Sequence, residues 1–126
     1  MDDSAAHPFH AHVYYDSGER TAAEALHEAL LKRDEILFVG RITDGPVGPH
    51  PIPQFEVHFD GAAVDALMPQ FELSGLRILV HPLTDDDRAD HTSLGRWIGE
   101  PLELDLSVLD PPGQNKGVAR FGKADV

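Results

Sequence analysis

The sequence predicts an α+β fold of the ferredoxin-like type, a sandwich in which strands and helices alternate in the order βαββαβ. Two observations carry this prediction. Four short segments alternate apolar and polar residues or are rich in β-branched residues, as strands do. Two longer segments between them repeat apolar residues every three to four positions, as helices do. The usual packing of this order is a four-stranded antiparallel sheet with both helices on one face, here followed by an additional C-terminal helix and strand.

The first predicted strand covers residues 8–15, where apolar and polar residues alternate with a period of two. Its apolar side faces the expected core, and its other side carries His10, His12 and Tyr14. Successive side chains of a strand point to opposite faces of the sheet. These three residues are therefore expected on the face opposite to the helices.

A helix and a second strand follow. Thr21 and Glu24 have the spacing of a capping box, in which each side chain satisfies a free backbone N–H at a helix start. An amphipathic helix is therefore expected from this point to Asp34. Residues 36–43 are apolar and rich in β-branched side chains, which predicts the second strand. The glycine- and proline-rich residues 44–53 predict an irregular loop.

The second half of the predicted core repeats this pattern. Residues 54–59 alternate as a third strand, and residues 64–71 carry an apolar stripe with helical spacing. Pro69 lies inside that stripe and is expected to kink or shorten the helix, because proline removes one backbone hydrogen bond. Residues 76–81 predict the fourth strand, with apolar residues at alternate positions.

The additional elements are expected after the fourth strand. A short helix containing Trp97 is predicted after Thr92, and the alternation of residues 102–108 predicts a fifth strand. That strand either extends the edge of the sheet or pairs with another subunit. Residues 1–7 and 110–126 are polar or turn-rich and are expected to be mobile, so that the whole chain forms a single domain.

Composition excludes several classes of function. Asp and Glu number 22 against 10 Lys and Arg, a formal net charge of −12 that disfavours nucleic-acid and anionic-membrane partners. Cysteine is absent, so disulfides, thiolate metal sites and cysteine nucleophiles are excluded. No apolar run is long enough to span a bilayer and no signal segment opens the chain, which predicts a cytoplasmic protein. Eight histidines are the remaining unusual feature.

The predicted topology gathers histidines on one sheet face. In a ferredoxin-like sheet the first strand lies between the third and the fourth, antiparallel to both. This arrangement predicts that His10, His58 and His81 are neighbours, with His12 and Glu56 one step further along. Adjacent strands are about 4.8 Å apart, so imidazoles on neighbouring strands can share one cation.

A cluster of imidazoles with one carboxylate suits a divalent transition metal when thiolates are absent. Two histidines and one carboxylate leave positions open for substrate and oxygen, as in non-haem Fe(II) oxygenases. Three histidines with one open position suit Zn(II) and hydrolysis instead. The spacing does not choose between these metals. A cofactor-free oxygenase, in which histidines act only as acids and bases, is a third hypothesis.

Five strings of residues resemble the DOPA 4,5-dioxygenase family of small single-domain fungal and bacterial enzymes. The resemblance runs from Phe9 to about Leu106 and is carried by residues 9–15, 47–51, 79–84, 90–92 and 97–102. It implies a ferredoxin-like fold and an extradiol opening of a catechol ring, that of DOPA or a related compound. The implied cofactor is Fe(II), with Zn(II) or another divalent metal as the alternative.

Within this resemblance, we assign His10, His12 and His81 to the metal, with Glu56 as a candidate carboxylate ligand. His58 and Glu56 lie outside the five strings. The topology and the resemblance therefore disagree about His58, and we give the resemblance more weight there. The enzyme expected is a non-haem Fe(II) extradiol catechol dioxygenase.

The remaining candidates handle protons and substrate. His50 and His91 lie on loops and are the proposed base and acid, since the ordinary pKa of histidine is near neutrality. His50 reaches the site only if its loop folds over the sheet or comes from a neighbouring subunit. Tyr14 is a candidate hydrogen-bond partner of the substrate, and Arg41 or Arg77 is expected to pair with a substrate carboxylate.

The alternative function is a dimeric ferredoxin-like module that binds a ligand or a metal without turnover. Ferredoxin-like sheets often pair through exposed faces or edges, which predicts a homodimer in either case. The expected partners are a small catechol, O₂ and a second copy of the chain, with no nucleic acid and no membrane.

Overall fold

The fold is described from a computed structural model of the chain. The described residues are 7–111, 113–115, 118 and 121. The predicted leader lies outside these residues except for His7, and so do most residues of the predicted tail after Asn115.

Five strands and three helices follow one another along the described part of the chain. The strands are β1 (Pro8–Tyr14), β2 (Ile36–Val39), β3 (Gln54–Asp60), β4 (Arg77–Pro82) and β5 (Arg96–Ile98). The helices are α1 (Arg20–Leu31), α2 (Val64–Leu73) and the single turn α3 (Asp87–Asp90). Two short 3-10 turns lie at Gly61–Ala63 and Leu106–Val108.

All five strands form one antiparallel sheet in the order β2-β3-β1-β4-β5. β1 lies in the centre and pairs along its whole length with β3 on one side, and with β4 on the other. This βαββαβ arrangement with a further helix and strand confirms the predicted α+β fold class. The central position of β1 brings its side chains between those of β3 and β4.

One face of the sheet packs against α1 and α2 and holds the hydrophobic core. Ala11 and Val13 of β1, and Tyr15 just after it, point into this core, as the period-two pattern predicts. They meet apolar side chains from the helices and from β3 and β4, all less than a tenth exposed: Leu26, Leu30, Phe55, Val57, Phe59, Leu67, Phe71 and Ile78. Burial of this apolar surface, at about 25 cal/mol per Å², is the main force that holds the helices to the sheet.

The start of α1 differs from the sequence prediction. α1 begins at Arg20, so Thr21 lies inside the helix, and the residue before it, Glu19, makes no side-chain capping bond. The predicted capping box of Thr21 and Glu24 is therefore wrong. The Glu19 carboxylate instead accepts the backbone N–H of Asp16, which closes the turn that leads into the helix.

α2 runs through Pro69 to Leu73, so the predicted shortening at this proline is wrong. Leu67, Met68 and Phe71 are buried on the apolar face of this helix. Packing of that face against the sheet outweighs the loss of one backbone hydrogen bond. No helix in the described part of the chain has the length and the apolar character needed to cross a bilayer.

The additional strand lies earlier in the chain than the sequence predicts. β5 contains Trp97 and pairs with β4, and the indole stacks on Tyr14 with 5.5 Å between ring centroids. The predictions of a helix at Trp97 and of a strand at 102–108 are therefore wrong. Asp105 accepts hydrogen bonds from the N–H and the hydroxyl of Ser107, and these bonds turn the chain into a 3-10 turn instead of a strand.

Candidate active site

Histidines from three neighbouring strands meet on the sheet face that points away from α1 and α2. His10 of β1 pairs with His58 of β3 and with His81 of β4, and His12 pairs with Glu56 of β3. These are the neighbours that the predicted topology gives. The alternation along β1 and its central position are sufficient to bring them together.

Six histidines form one buried group, which we call the histidine cluster. Each of them is less than a tenth exposed, and all of them line a cavity of about 400 Å³. They are His10, His12, His50, His58, His81 and His91. Polar rings that are buried side by side destabilise a fold unless their nitrogen atoms have partners.

The Nε2 atoms of His12 and His81 face each other. The Nδ1–H of His12 donates to Oε1 of Gln54 at 3.1 Å, and the Nδ1–H of His81 donates to the carbonyl oxygen of Pro82 at 2.8 Å. A neutral imidazole carries one such proton, so both Nε2 atoms carry lone pairs. These two Nε2 atoms are 2.9 Å apart, and in these tautomers a cation bound by both would stabilise the pair.

Burial holds both rings in the neutral form. Removal from water, together with the nearby His91, lowers the pKa of His81 to about 3. Burial also lowers the pKa of His12 well below its ordinary value, and His50 and His81 add to this effect. A proton between the two rings is therefore unfavourable at neutral pH, whereas a divalent cation would use both lone pairs.

His10 brings a third nitrogen to the same place. Among the described residues, its Nε2 is the buried side-chain atom that has no hydrogen-bond partner. Burial and the neighbouring His58 lower the pKa of His10 well below its ordinary value. One nitrogen each from His10, His12 and His81 lies within 4.8 Å of the others. Three neutral imidazoles around one point fit a divalent transition metal.

His12 also belongs to a second group of histidines whose nitrogen atoms lie close together. His50 and His91 each contribute one nitrogen within 4.8 Å of His12 and of each other. The Nδ1–H of His91 donates to the carbonyl oxygen of Asp87 at 2.8 Å, which leaves the Nε2 atom of His91 free. Burial opposes the charged form of His91, but its hydrogen bonds to Asp87 outweigh burial and raise its pKa.

His50 reaches the cluster from its own chain. Val47 and His50 exchange backbone hydrogen bonds, and Gly48 between them adopts a left-handed φ of 52°. This tight turn folds the loop between β2 and β3 over the sheet, and the ring centroids of His50 and His12 are 4.1 Å apart. A neighbouring subunit is therefore not needed to supply His50.

Two of the three predicted substrate contacts lie outside the cavity. Tyr14 does not line it, and its hydroxyl lies 2.7 Å from Nδ1 of His50 instead. Arg77 pairs with Asp16 and does not line the cavity either, because it lies beside Tyr14 at the far end of β1. Arg41 does line the cavity and is exposed to solvent.

Glu56 and His58 form a pair on the other side of His10. Oε2 of Glu56 accepts a hydrogen bond from Nε2 of His58 at 2.5 Å. The ring of His58 stacks on that of His10, with 4.0 Å between centroids and 16° between planes. One ligand atom each from Glu56, His58 and His10 lies within 4.8 Å of the others, a group separate from that of His10, His12 and His81.

The sequence alone indicated no role for Asp87 and Asp90. Their carboxylates hold Asp110 and Asn115, two residues that line the cavity. Oδ2 of Asp87 accepts the N–H of Asp110 at 2.9 Å. Asp90 has no exposed surface and accepts hydrogen bonds from Thr84 and from the side-chain amide of Asn115. An acidic stretch is visible in the sequence. Its contacts with Asp110 and Asn115, which lie more than 20 positions later in the chain, are not.

Comparisons with known proteins identify the family of the chain. The model of the Dopa 4,5-dioxygenase family matches residues 9–108, a range that contains the whole histidine cluster. The chain belongs to this family. Membership of the Dopa 4,5-dioxygenase family confirms the resemblance carried by the five strings, and the matched range also includes Glu56 and His58.

Two of the proteins similar to this Dopa 4,5-dioxygenase family member are named as dioxygenases. The DOPA 4,5-dioxygenase of Amanita muscaria is 32% identical over 117 residues, which are 85% of this chain but 51% of that enzyme, so the chain spans about half its length. An "Uncharacterized 21.2 kDa protein" of Botryotinia fuckeliana is 31% identical over 92% of this chain and 70% of that protein. The crystal structure of a "putative dioxygenase" from Nostoc punctiforme is 38% identical, has a TM-score of 0.78, and the match covers 86% of this chain and 95% of that one.

Proposed function

We propose that this protein is an Fe(II)-dependent extradiol dioxygenase that opens the ring of DOPA or a related catechol with O₂. One observation carries the proposal. Nε2 of His12 and Nε2 of His81 face each other in a buried site, and the two nitrogen atoms are 2.9 Å apart. A cation bound by both nitrogens would stabilise this pair. Zn(II) or another divalent metal would suit the same nitrogens, but Zn(II) has no redox chemistry, and a reaction with O₂ therefore favours iron.

His10, His12 and His81 would hold the iron, and the carboxylate of Glu56 is a candidate fourth ligand. Fe(II) in such a site supplies the redox chemistry between a catechol and O₂. Burial lowers the pKa of all three histidines, so that lone pairs and not protons face the metal position.

His50 and His91 would carry the protons of the reaction. Burial lowers the pKa of His50 to about 3, so its ring is neutral at pH 7. In the tautomer whose Nδ1–H donates to the Tyr14 hydroxyl, Nε2 of His50 can accept a proton from a catechol hydroxyl. His91 suits the acid role, because Asp87 raises its pKa despite burial and helps it to hold a proton.

Arg41 would bind a carboxylate on the substrate. It lines the cavity and is exposed, so its guanidinium can pair with a carboxylate that enters from solvent. The cavity volume of about 400 Å³ lies within the range of about 300–1,000 Å³ that is usual for small-molecule sites. Arg77 is not part of this proposal, because it pairs with Asp16 away from the cavity.

Anaerobic reconstitution with Fe(II), followed by DOPA and air, tests the proposed function. We expect O₂ uptake and a yellow ring-opened product, both in proportion to bound iron. Absence of O₂ uptake with every catechol tested would exclude the function. Metal or catechol binding without O₂ consumption would favour the binding module instead, and full activity after exhaustive chelation would favour a cofactor-free oxygenase.

The homodimer and the cytoplasmic location stay predictions. β2 and β5 are the outer strands of the sheet, and a second copy of the chain could pair with either of them. The mass of the protein in solution tests the dimer, and a monomeric mass would contradict it.

A further inference from the structure

We infer that His58 is a positioning residue of the metal site, which orients the carboxylate of Glu56 and packs against His10. This inference rests on the proposed function, because it assumes a divalent metal at the cluster. The five strings that carry the family resemblance leave His58 out, and the proposed function gives it no role. Its contacts connect it to two of the candidate ligands.

The first support is the hydrogen bond between His58 and Glu56. Nε2 of His58 donates to Oε2 of Glu56 at 2.5 Å, and the two side chains are 2% and 17% exposed. A carboxylate has two oxygens, so the hydrogen bond fixes one of them and leaves the other available as a ligand. Metal-ligating carboxylates are commonly held by hydrogen bonds of this kind.

The second support is the limited space around Glu56. Gly40 donates its backbone N–H to the carbonyl oxygen of Glu56 at 2.8 Å. A Cβ atom added at Gly40 would lie 3.3 Å from Cγ of Glu56. The side chain of Glu56 therefore lies against the backbone of Gly40, and His58 supplies the hydrogen bond that sets the direction of its carboxylate.

The third support is the stacking of His58 on His10. His12 and His81 are each oriented by a hydrogen bond at Nδ1. The Nε2 atom of His10, which has no partner among the described residues, depends for its direction on how the ring of His10 is packed. The parallel ring of His58, 4.0 Å away, packs directly against His10. One buried side chain therefore contacts both candidate ligands that lie on its side of the cavity.

The ring of His58 is itself enclosed. Phe38 of β2 packs against it with 4.9 Å between ring centroids and an angle of 58°. Phe121 stacks on it at 5.6 Å, with 8° between the ring planes. The residue is 1% exposed, so its ring has little freedom to rotate. A fixed ring is what a positioning residue requires.

Two substitutions separate the hydrogen bond from the stacking. His58→Phe keeps a flat ring against His10 and removes the donor, whereas His58→Gln keeps an amide donor and removes the ring. The measurement is the dissociation constant for Co(II) and for Fe(II), obtained by anaerobic competition with a chelator, with circular dichroism as the check of folding. His58→Asn, whose side chain is too short to reach Glu56, is the second variant without the hydrogen bond.

We expect His58→Phe and His58→Asn to weaken metal binding by about 10- to 100-fold, and His58→Gln to stay within about threefold of the wild type. Glu56→Gln should weaken binding to a similar extent. The double variant of His58→Phe and Glu56→Gln should be no weaker than Glu56→Gln alone, because His58 acts through Glu56.

The outcomes distinguish this inference from the proposed function. Wild-type protein that binds no divalent metal would overturn both. Wild-type protein that binds metal while a folded His58→Phe or His58→Asn variant keeps full affinity would overturn the role of His58 alone. Additive losses in the double variant would also overturn it, because they would mean that the two residues act independently.

Discussion

Nε2 of His12 and Nε2 of His81 lie 2.9 Å apart although the two residues are separated by 69 positions in the chain. Hydrogen bonds to Gln54 and to the carbonyl of Pro82 fix both rings from the opposite side. The rings do not have to reorient to receive a cation. The pair is therefore preorganised for metal binding.

Loss of either ring should abolish tight metal binding. His12→Ala and His81→Ala each remove one of the two facing nitrogens, and we expect affinity for Fe(II) to fall by more than the roughly 10- to 100-fold typical of residues that only orient a ligand. The measurement is iron content after gel filtration. His7→Ala is the matched control, because His7 lies outside the cavity. Wild-type iron content in both cluster variants would contradict the assignment.

The metal-free protein should lose stability as the pH falls from about 6.5 towards 3. His50 and His81 have pKa values of about 3 in the fold, against about 6.5 in the unfolded chain. The unfolded state therefore takes up these protons first, and stabilisation that is complete above pH 6.5 is lost as the pH falls to the folded values. At pH 5 each ring should contribute about 2 kcal/mol of this loss.

Urea unfolding of the metal-free protein at pH 7.5 and at pH 5 measures this dependence. The His50→Gln variant removes one of the buried rings whose pKa is lowered, and it should show a smaller difference between the two pH values. Equal pH dependence in the variant and in the wild type would contradict the assignment of the effect to His50.

Tyr14→Phe should lower turnover without weakening metal binding. The hydroxyl of Tyr14 lies 2.7 Å from Nδ1 of His50, and burial raises the pKa of Tyr14, so the phenol stays protonated. We expect kcat to fall by about tenfold with a small change in KM, because His50 loses the partner that orients it. Tyr15→Phe is the matched control, since the Tyr15 hydroxyl donates to the carbonyl of Thr43. An unchanged kcat in Tyr14→Phe would argue against His50 as a catalytic residue.

Arg41→Ala should raise KM for catechols that carry a carboxylate by about tenfold, because a charged hydrogen bond contributes about 1.5–3 kcal/mol. The same variant should leave KM for a catechol without a carboxylate unchanged. Arg77→Ala is the control, because Arg77 pairs with Asp16 and does not line the cavity. Steady-state kinetics with both substrates make the comparison, and equal effects on the two substrates would reject Arg41 as the carboxylate partner.

Gly95→Ala should destabilise the fold near α3. The added Cβ would lie 2.9 Å from Cδ1 of Leu79 and 3.2 Å from the carbonyl oxygen of Asp90. We expect a loss of about 1–3 kcal/mol in the free energy of unfolding, the usual range for overpacking. Gly45→Ala is the control, because its Cβ would meet nothing within 4 Å. Urea unfolding compares the two, and equal stabilities would contradict the close packing at Gly95.

The sequence was sufficient to predict which strand histidines meet. Alternation along β1 assigns His10 and His12 to one face, and the βαββαβ order assigns β1 a position between β3 and β4. His58 and His81 then become neighbours of His10 without any knowledge of side-chain contacts. The order of elements and the period-two pattern are properties of the chain itself, so these predictions needed no structure.

The family resemblance included His50 and His91 in the site, but their positions do not follow from periodicity, because they depend on contacts made by irregular segments. The position of His50 follows from a tight turn at Gly48, and a proline- and glycine-rich loop allows many paths. The tautomers of His12 and His81 depend on acceptors supplied by Gln54 and Pro82. No periodicity in the sequence encodes these partners.

The central position of β1 also determines when the site can form. The residue that accepts a hydrogen bond from His12 on β3 is 42 positions away, and the ring that faces it from β4 is 69 positions away. Pairings of such high contact order form late in folding, because a long loop has to close before any contact is gained. A nascent or partly folded chain therefore has no preformed metal site, and a metal bound at the cluster as proposed would bind after the sheet is complete.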